Sequence, residues 1–491
     1  MLGPEYLDRL PEPLVKLWQQ AEEDILRDVA RRIGRMDALT PTADWQLWRR
    51  EQIRLCRREV LAILAKYSGK SDAQLREIFR KAAAEALAGD DRLYRSAGLD
   101  PPDPNDDPAL LNLLNAGYQQ TAGSWQNLTA TTAQTVSGQF EAALDRAWLQ
   151  VSSGAFDYNT AVRRAVNGLA GQMAGVTYPT GHRDTLEVAV RRAVLTGVNQ
   201  TAGKLQLARM EEMGWEYLET TAHAGARPSH AKWQGRQFHR GGAVTHRGRH
   251  YPHFEKETGY GTGGGIFGWN CRHGVFPIDP DLDPAPAWSE EELAALDAKT
   301  IEYRGKRYSA YEISQKQRAL ERRVRAAKKA YLAEDAAGLD TTQSAVKLKT
   351  ARQSLAQFIR DTGGRDDSAR TFVSGFGRSQ AGRAAAQAKK NTLTNAAGQT
   401  IIRVQKTTLT GTPGSVTQVV NAKGGIDRNY YGPDGRQVKQ ISNNGHGHKK
   451  EEALGQHGEH AHDYRYTEEG KLLRPARELT DQERKENADI L

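Results

Sequence analysis

Apolar residues recur at three- and four-residue steps through residues 1–99 and again through 109–218, and each stretch predicts a helical region. Ile53, Cys56, Val60, Ile63, Leu64 and Tyr67 form one stripe, the pattern of a helix with a single buried face. Cys56 lies on that stripe, where a thiol acts as a small buried hydrophobe. Leu186, Val190, Ala193, Val194 and Val198 repeat the pattern, with Arg191 and Arg192 expected to point away from it. Between the two regions the string DPPDPNDDP, residues 100–108, cannot continue a helix. Proline has no amide proton and crowds the preceding turn, so a joint is predicted there. Pro179 and Gly181 predict a second interruption.

The helical period is lost at 219–288, where Gly, His, Arg and aromatics replace Ala and Leu. This stretch predicts a small, loop-rich α+β module with a few short strands. Ser289 and Glu292 then make a capping box. Residues 289–361 form a basic helical region, expected to run as helix to about 361; within it, 301–330 carry ten basic residues against three acidic ones. Residues 362–425, rich in Gly, Ala, Ser, Thr and Gln, predict a flexible linker. Residues 426–491 predict a separate small α+β module. In it Tyr430, Tyr431, Val438 and Ile441 flank the turn GPDG, a hairpin signal, and Thr480 with Glu483 caps a last short helix. The expected fold class is a mainly α, multi-helix body with a small α+β central module and a small α+β C-terminal module.

Size and charge sharpen this. At 491 residues and 54.3 kDa the chain is too long for one hydrophobic core. Mean hydropathy is −0.69, and no run approaches the length of a membrane-spanning helix. The start lacks a basic segment followed by an apolar one, so no secretory signal is expected. Two cysteines, Cys56 and Cys271, exclude a disulfide scaffold and are expected as reduced thiols. The net charge of +9 favours anionic partners without choosing among them.

Of the 13 histidines, seven fall between His223 and His273. The densest strings are HAGARPSHAKWQGRQF, residues 223–238, and GWNCRHGVFP, residues 268–277. Cys271 and His273 with His223 and His230 are a candidate zinc set, but C-x-H and H-x6-H are not the paired spacings of structural zinc sites. Cys271 beside a histidine is also a candidate nucleophile, with no recognisable oxyanion loop nearby. The more economical expectation is a structural network. In it Arg227 and Arg272 fork to carboxylates or carbonyls, His230 bonds through both ring nitrogens, Trp233 and Trp269 fill a small core, and Gly235 and Gly268 allow tight turns. No cofactor is expected on this reading.

The strings TAHAGARPSHAKWQGRQF and YPHFEKETGYGTGGGIFGWNCRHGVFP resemble the phage minor capsid protein 2 family, which is related to the Mu F-type head morphogenesis proteins. Those have a similar R-x-x-H, W/L-x-G and N-C-R-C signature. Here the signature residues are His223, Arg227, His230, Trp233, Gly235, Asn270, Cys271, Arg272 and His273, the last standing where the relatives have a second Cys. The helix GHRDTLEVAVRRAVLTGVNQT and the segment YSAYEISQKQRALERRVRAAKKA also fit, so the resemblance covers about residues 1–380. It implies a structural or morphogenetic virion component of tailed phages or prophages, acting near the portal vertex in head assembly or DNA delivery. The implied partners are portal and capsid proteins, and the implied location is the virion, after assembly in the host cytoplasm. It carries over no catalytic residue.

Two regions leave further chemistry open. Arg318, Arg322, Arg323, Arg325, Lys328 and Lys329 are candidate contacts to packaged DNA, neutralising phosphates without reading sequence; the plainer expectation is a solvated helix face. In the tail, His446, His448, His460, His462 and Asp463 are candidates for a general acid–base pair or a metal site, because His460 and His462 alternate as on a strand and would share one side. That constellation supports an alternative of a different class: an effector delivered by the virion, resembling a polymorphic toxin, with the C-terminal module as its nuclease.

Overall fold

The computed structural model describes residues 2–36, 42–153, 156–172, 175–177, 183–282, 284–404, 406–411, 414–421, 424–467 and 472–491. Pro179 and Gly181 lie outside the described residues.

The chain opens with helices α1 (Pro4–Arg9), α2 (Glu12–Gly34), α3 (Thr42–Ser96), α4 (Pro108–Ser152) and α5 (Tyr158–Gln172). A short antiparallel pair, β1 (Gly175–Thr177) and β2 (Arg183–Thr185), leads into α6 (Leu186–Glu212). One apolar core joins α2 to α6. The predicted stripe on α3 faces it, with Cys56, Val60 and Leu64 fully buried. Leu186, Val190, Val194 and Val198 of α6 enter the same core. Arg191 and Arg192 lie outside this core and are held by polar partners: Arg191 donates to the Asp8 carbonyl at 3.2 Å, and Arg192 pairs with Asp184 at 2.7 Å.

The joint at 100–108 falls between α3 and α4, where Asp107 caps α4 by accepting from the amides of Ala109 and Leu110. Arg209 of α6 is fully buried beneath it. It donates to Glu212 at 2.8 Å and to the Pro102 carbonyl at 2.9 Å, and lies 3.4 Å from Asp91.

The central module is built on β3 (Tyr217–Thr220), which pairs antiparallel with β4 (Gln237–His239) on one edge and β7 (Val275–Pro277) on the other. The intervening chain forms α7 (Pro228–Ala231), the hairpin β5 (Val244–His246) and β6 (Arg249–Tyr251), and α8 (Phe254–Thr258). Leu218, Trp233, Phe238, Phe254 and Phe267 pack with Tyr94 of α3 and Met210 of α6, so the module grows out of the helical body. Trp233 fills this core as expected, whereas Trp269 is 63% exposed.

Ser289 and Glu292 close the predicted capping box at α9 (Glu290–Asp297). The basic region is not one helix. It begins with the hairpin β8 (Ile301–Tyr303) and β9 (Lys306–Tyr308), followed by α10 (Ala310–Ala336) and α11 (Thr342–Thr362). The break has a local cause: Gly338 takes φ +71°, the Leu339 amide bonds back to the Glu334 carbonyl, and Asp340 accepts from the Thr342 amide to start the next helix.

The stretch expected as a linker is structured over its described residues. It holds α12 (Arg378–Lys390), packed on α11, and the strands β10 (Thr392–Thr394), β11 (Thr400–Arg403) and β12 (Val416–Val420). These continue into the tail as one sheet in the order β10-β11-β12-β13-β14-β15-β18, with β13 (Ile426–Tyr431), β14 (Gln437–Ser442), β15 (His460–Asp463) and β18 (Ala476–Arg477). Pairing is antiparallel except between β11 and β12. GPDG forms the β13–β14 turn as predicted. Helix α13 (Lys449–Glu452) lies between β14 and β15, β16 (Arg465–Tyr466) and β17 (Leu472–Leu473) form a separate antiparallel pair, and α14 (Asp481–Glu486) carries the Thr480–Glu483 box.

Candidate functional site

The signature residues converge from three elements. His230 comes from α7, which Pro228 starts. Cys271 and His273 flank the turn that leads into β7, and Asn199 of α6 pins that turn by donating to the Cys271 carbonyl at 3.0 Å and the His273 carbonyl at 3.2 Å. His230, Cys271 and His273 are each at most 2% exposed. Their Nδ1, Sγ and Nδ1 atoms face one another: Nδ1 to Nδ1 is 3.3 Å, Cys271 Sγ to His273 Nδ1 is 3.6 Å, and Sγ to His230 Nδ1 is 3.9 Å.

The outer ring nitrogens are held as well. His230 Nε2 donates to the Gly264 carbonyl at 2.9 Å, and His273 Nε2 donates to Gln234 Oε1 at 3.2 Å. Trp233 covers both rings, with centroids 4.6 Å from His230 and 4.7 Å from His273. His223 stacks on His273 at 4.4 Å, its Nδ1 bonded to the Ala224 carbonyl. Burial disfavours charge throughout. It pushes His230 down to about 4 and His273 down to about 2, and it raises the Cys271 thiol.

Arg227 donates to the Trp269 carbonyl, and Arg272 pairs with Asp8 of α1 at 2.6 Å. Gly235 adopts φ +65°, and Gly268 packs against the Gly263 backbone where a side chain has no room. Asn270, at φ +55°, is exposed, and its amide donates to Thr196.

A cleft of about 490 Å³ opens beside the cluster, lined by Arg191, Arg227, Arg272, Arg318, Arg322, Arg325 and Arg370 against Asp8, Glu187 and Glu321. Burial lowers the Arg318 guanidinium, with Arg272 and Arg370 adding like-charge repulsion. The cleft is therefore an electropositive concavity that favours anionic groups.

The candidate DNA row on α10 is divided. Arg325 donates to the Arg370 carbonyl and pairs with Glu187 at 3.2 Å, Lys328 is buried and donates to the Thr371 carbonyl, and Lys329 pairs with buried Glu22 at 2.6 Å. Arg318 is partly buried in the cleft, while Arg322 and Arg323 are exposed. Half of the row thus clamps α10 to the body.

In the tail, β15 does place His460 and His462 on one side, with their Nε2 atoms 3.1 Å apart. Their Nδ1 atoms donate to the carbonyls of Gly458 at 2.8 Å and Arg474 at 3.2 Å. Glu451 lies 3.8 Å from His460 and 3.6 Å from His462, a carboxylate that the sequence reading missed. His446 meets His460 edge-on at 5.7 Å and bonds Ser442 at 3.1 Å. His448 is exposed on the N-terminal side of α13, and Asp463 is paired with Arg477 at 2.8 Å, so neither joins the cluster.

A mainly helical body thus carries a histidine-rich module that buried polar contacts from α6 hold in place. The family model of phage minor capsid protein 2 matches residues 2–360, and the chain belongs to that family. Membership gives it a structural role in a phage and association with virion proteins. No curated protein and no solved structure matches the chain. The tail sheet lies beyond the matched residues. Among the described residues, no helix is long and apolar enough to cross a membrane.

Proposed function

We propose that the protein acts near the portal vertex of a tailed-phage head, in head assembly or DNA delivery, by docking against portal and capsid subunits. The observation that carries this reading is the arginine-lined cleft between the signature module, α6 and α10, whose lining apart from Arg370 falls within the matched residues. An acidic surface of a portal or capsid subunit, or a run of DNA phosphates, complements it. The signature residues around it are spent on bracing, which gives a rigid platform. The test is cross-linking mass spectrometry on purified virions carrying the full chain. Cross-links from the rim of the cleft to portal subunits support the proposal. A chain missing from virions, or spread evenly over the capsid lattice, overturns it.

A second reading is favoured by one specific observation, the Glu451–His460–His462 cluster outside the matched residues. On this reading the body carries a nuclease module into a target cell. Two facing imidazoles and a carboxylate supply what phosphodiester cleavage needs, either as an acid–base pair or around a metal ion. Incubation of the full chain with RNA and DNA, with and without divalent metal, decides it: cleavage that His460→Ala abolishes supports a nuclease, and no cleavage under any condition removes it.

A further inference from the structure

We propose that His230, Cys271 and His273 bind one zinc-class divalent ion through Nδ1, Sγ and Nδ1. The distances carry the first part of the argument. Zinc bonds of about 2.0–2.1 Å to nitrogen and about 2.3 Å to sulfur, at tetrahedral angles, set the ligand atoms about 3.3 Å apart for a nitrogen pair and about 3.6 Å apart for nitrogen and sulfur. The three separations here are 3.3, 3.6 and 3.9 Å.

The second part is proton counting. A carbonyl oxygen only accepts, so the bonds from His230 to Gly264 and from His273 to Gln234 put the ring protons on Nε2. Gln234 Oε1 also accepts from the His223 amide at 3.2 Å, which fixes the amide's orientation. Both Nδ1 atoms therefore present bare lone pairs to each other and to the sulfur. A single thiol proton satisfies one of them and leaves the other buried without a donor, at a cost of about 1–3 kcal/mol. A cation satisfies all three atoms together. The Nε2–H to carbonyl pattern is also the outer shell that orients zinc-bound imidazoles.

The third part is the sulfur. On binding, the Cys271 S–H bond breaks, the proton leaves to solvent, and sulfur donates its electron pair to the metal. One thiolate with two imidazoles selects a borderline-soft ion such as zinc over magnesium or calcium. The fourth position falls to water, on the side of the arginine-lined cleft that all three residues line.

The full chain, purified without chelator, is expected to hold about one zinc that Cys271→Ser and His273→Ala lose, while Cys56→Ala and His460→Ala keep it. Wild-type protein reloaded with cobalt(II) reports the same site without a variant: a thiolate-to-cobalt charge-transfer band is expected. Wild-type protein that neither retains zinc nor takes it up when supplied, zinc content unchanged in Cys271→Ser, or a cobalt form lacking the thiolate band would each overturn the proposal.

Discussion

Gly117 on α4 sits so close to Thr201 on α6 that no Cβ fits between them, and Gly197 on α6 stands in the same relation to Thr121 on α4. Each threonine hydroxyl donates to the carbonyl of the glycine one turn earlier on its own helix, Thr121 to Gly117 at 3.0 Å and Thr201 to Gly197 at 2.8 Å. The two helices thus cross through reciprocal Gly-x-x-x-Thr steps, and neither hydroxyl is free to swing away. Gly117→Ala is expected to destabilise the body by about 1–3 kcal/mol through overpacking. This outweighs the gain of about 1 kcal/mol that alanine otherwise brings to a helix. Gly123→Ala, on the same helix with nothing within 4 Å, is the control and should be neutral or stabilising. Denaturant melts should show a lowered midpoint for Gly117→Ala and no lowering for Gly123→Ala.

Lys329 is a structural cation. Its ammonium meets Glu22 of α2 at 2.6 Å, and Glu22 is only 4% exposed. Removing one member of a buried pair strands the other, at about 3–5 kcal/mol. Lys329→Ala should lower the unfolding midpoint markedly, whereas Arg323→Ala, exposed on the same helix, should stay within about 0.5 kcal/mol of wild type. Equal effects of the two would refute the division of this basic row into clamp and surface.

Local signals in the sequence carried far. The stripe from Ile53 to Tyr67, the boxes at Ser289–Glu292 and Thr480–Glu483, the proline joint before α4 and the GPDG hairpin are all contacts between near neighbours, which periodicity and turn chemistry report directly. The strands β10 to β12, within the stretch read as a linker, were illegible because part of the sheet's interior is polar. Thr417, Gln418, Arg428, Asn429 and Gln437 are buried, with Arg428 donating to Gln418 at 3.1 Å and Gln437 to Asn429 at 2.8 Å. Thr417 and Gln418 carry a linker's composition until their partners across the sheet are known. The break between α10 and α11 was marked by Gly338 and Asp340, but the basic run masked it. The central cluster was legible as residues and not as geometry: 41 positions separate His230 from Cys271, and only the β3–β7 pairing brings them together. Glu451 had no spacing rule to place it opposite β15.

Glu459 sets an acid limit on the tail. Burial alone would raise its carboxyl above the ordinary 4.5, but Arg484 at 2.7 Å and the amides of Gln456 and His457 outweigh this and hold it at about 2. A carboxyl lowered in the fold contributes stability that is complete above the unfolded value and is lost as pH falls toward the folded one. The contribution is therefore full at neutral pH and fades between 4.5 and about 2. Glu459→Gln should melt below wild type at pH 7, and the gap should close as the pH falls toward about 2. A gap independent of pH would mean that the charge does not stabilise the tail.

The His460–His462 pair makes the sharpest demand on chemistry. With both Nδ1 atoms donating to backbone carbonyls, the two Nε2 lone pairs face each other across 3.1 Å, and neither can donate to the other while both rings are neutral. Glu451 lies beside both rings, a carboxylate facing the two unpaired nitrogens. If the tail cleaves phosphodiesters, His460→Ala, His462→Ala and Glu451→Gln should each lower the rate by about 10²–10⁴-fold, the range of a lost general acid or base. His448→Ala should leave the rate unchanged, because that ring is exposed and outside the cluster. Single-turnover cleavage by the full chain, run beside circular dichroism to confirm folding, separates these outcomes. A rate that falls with His448→Ala and survives His462→Ala would move the chemistry off β15 altogether.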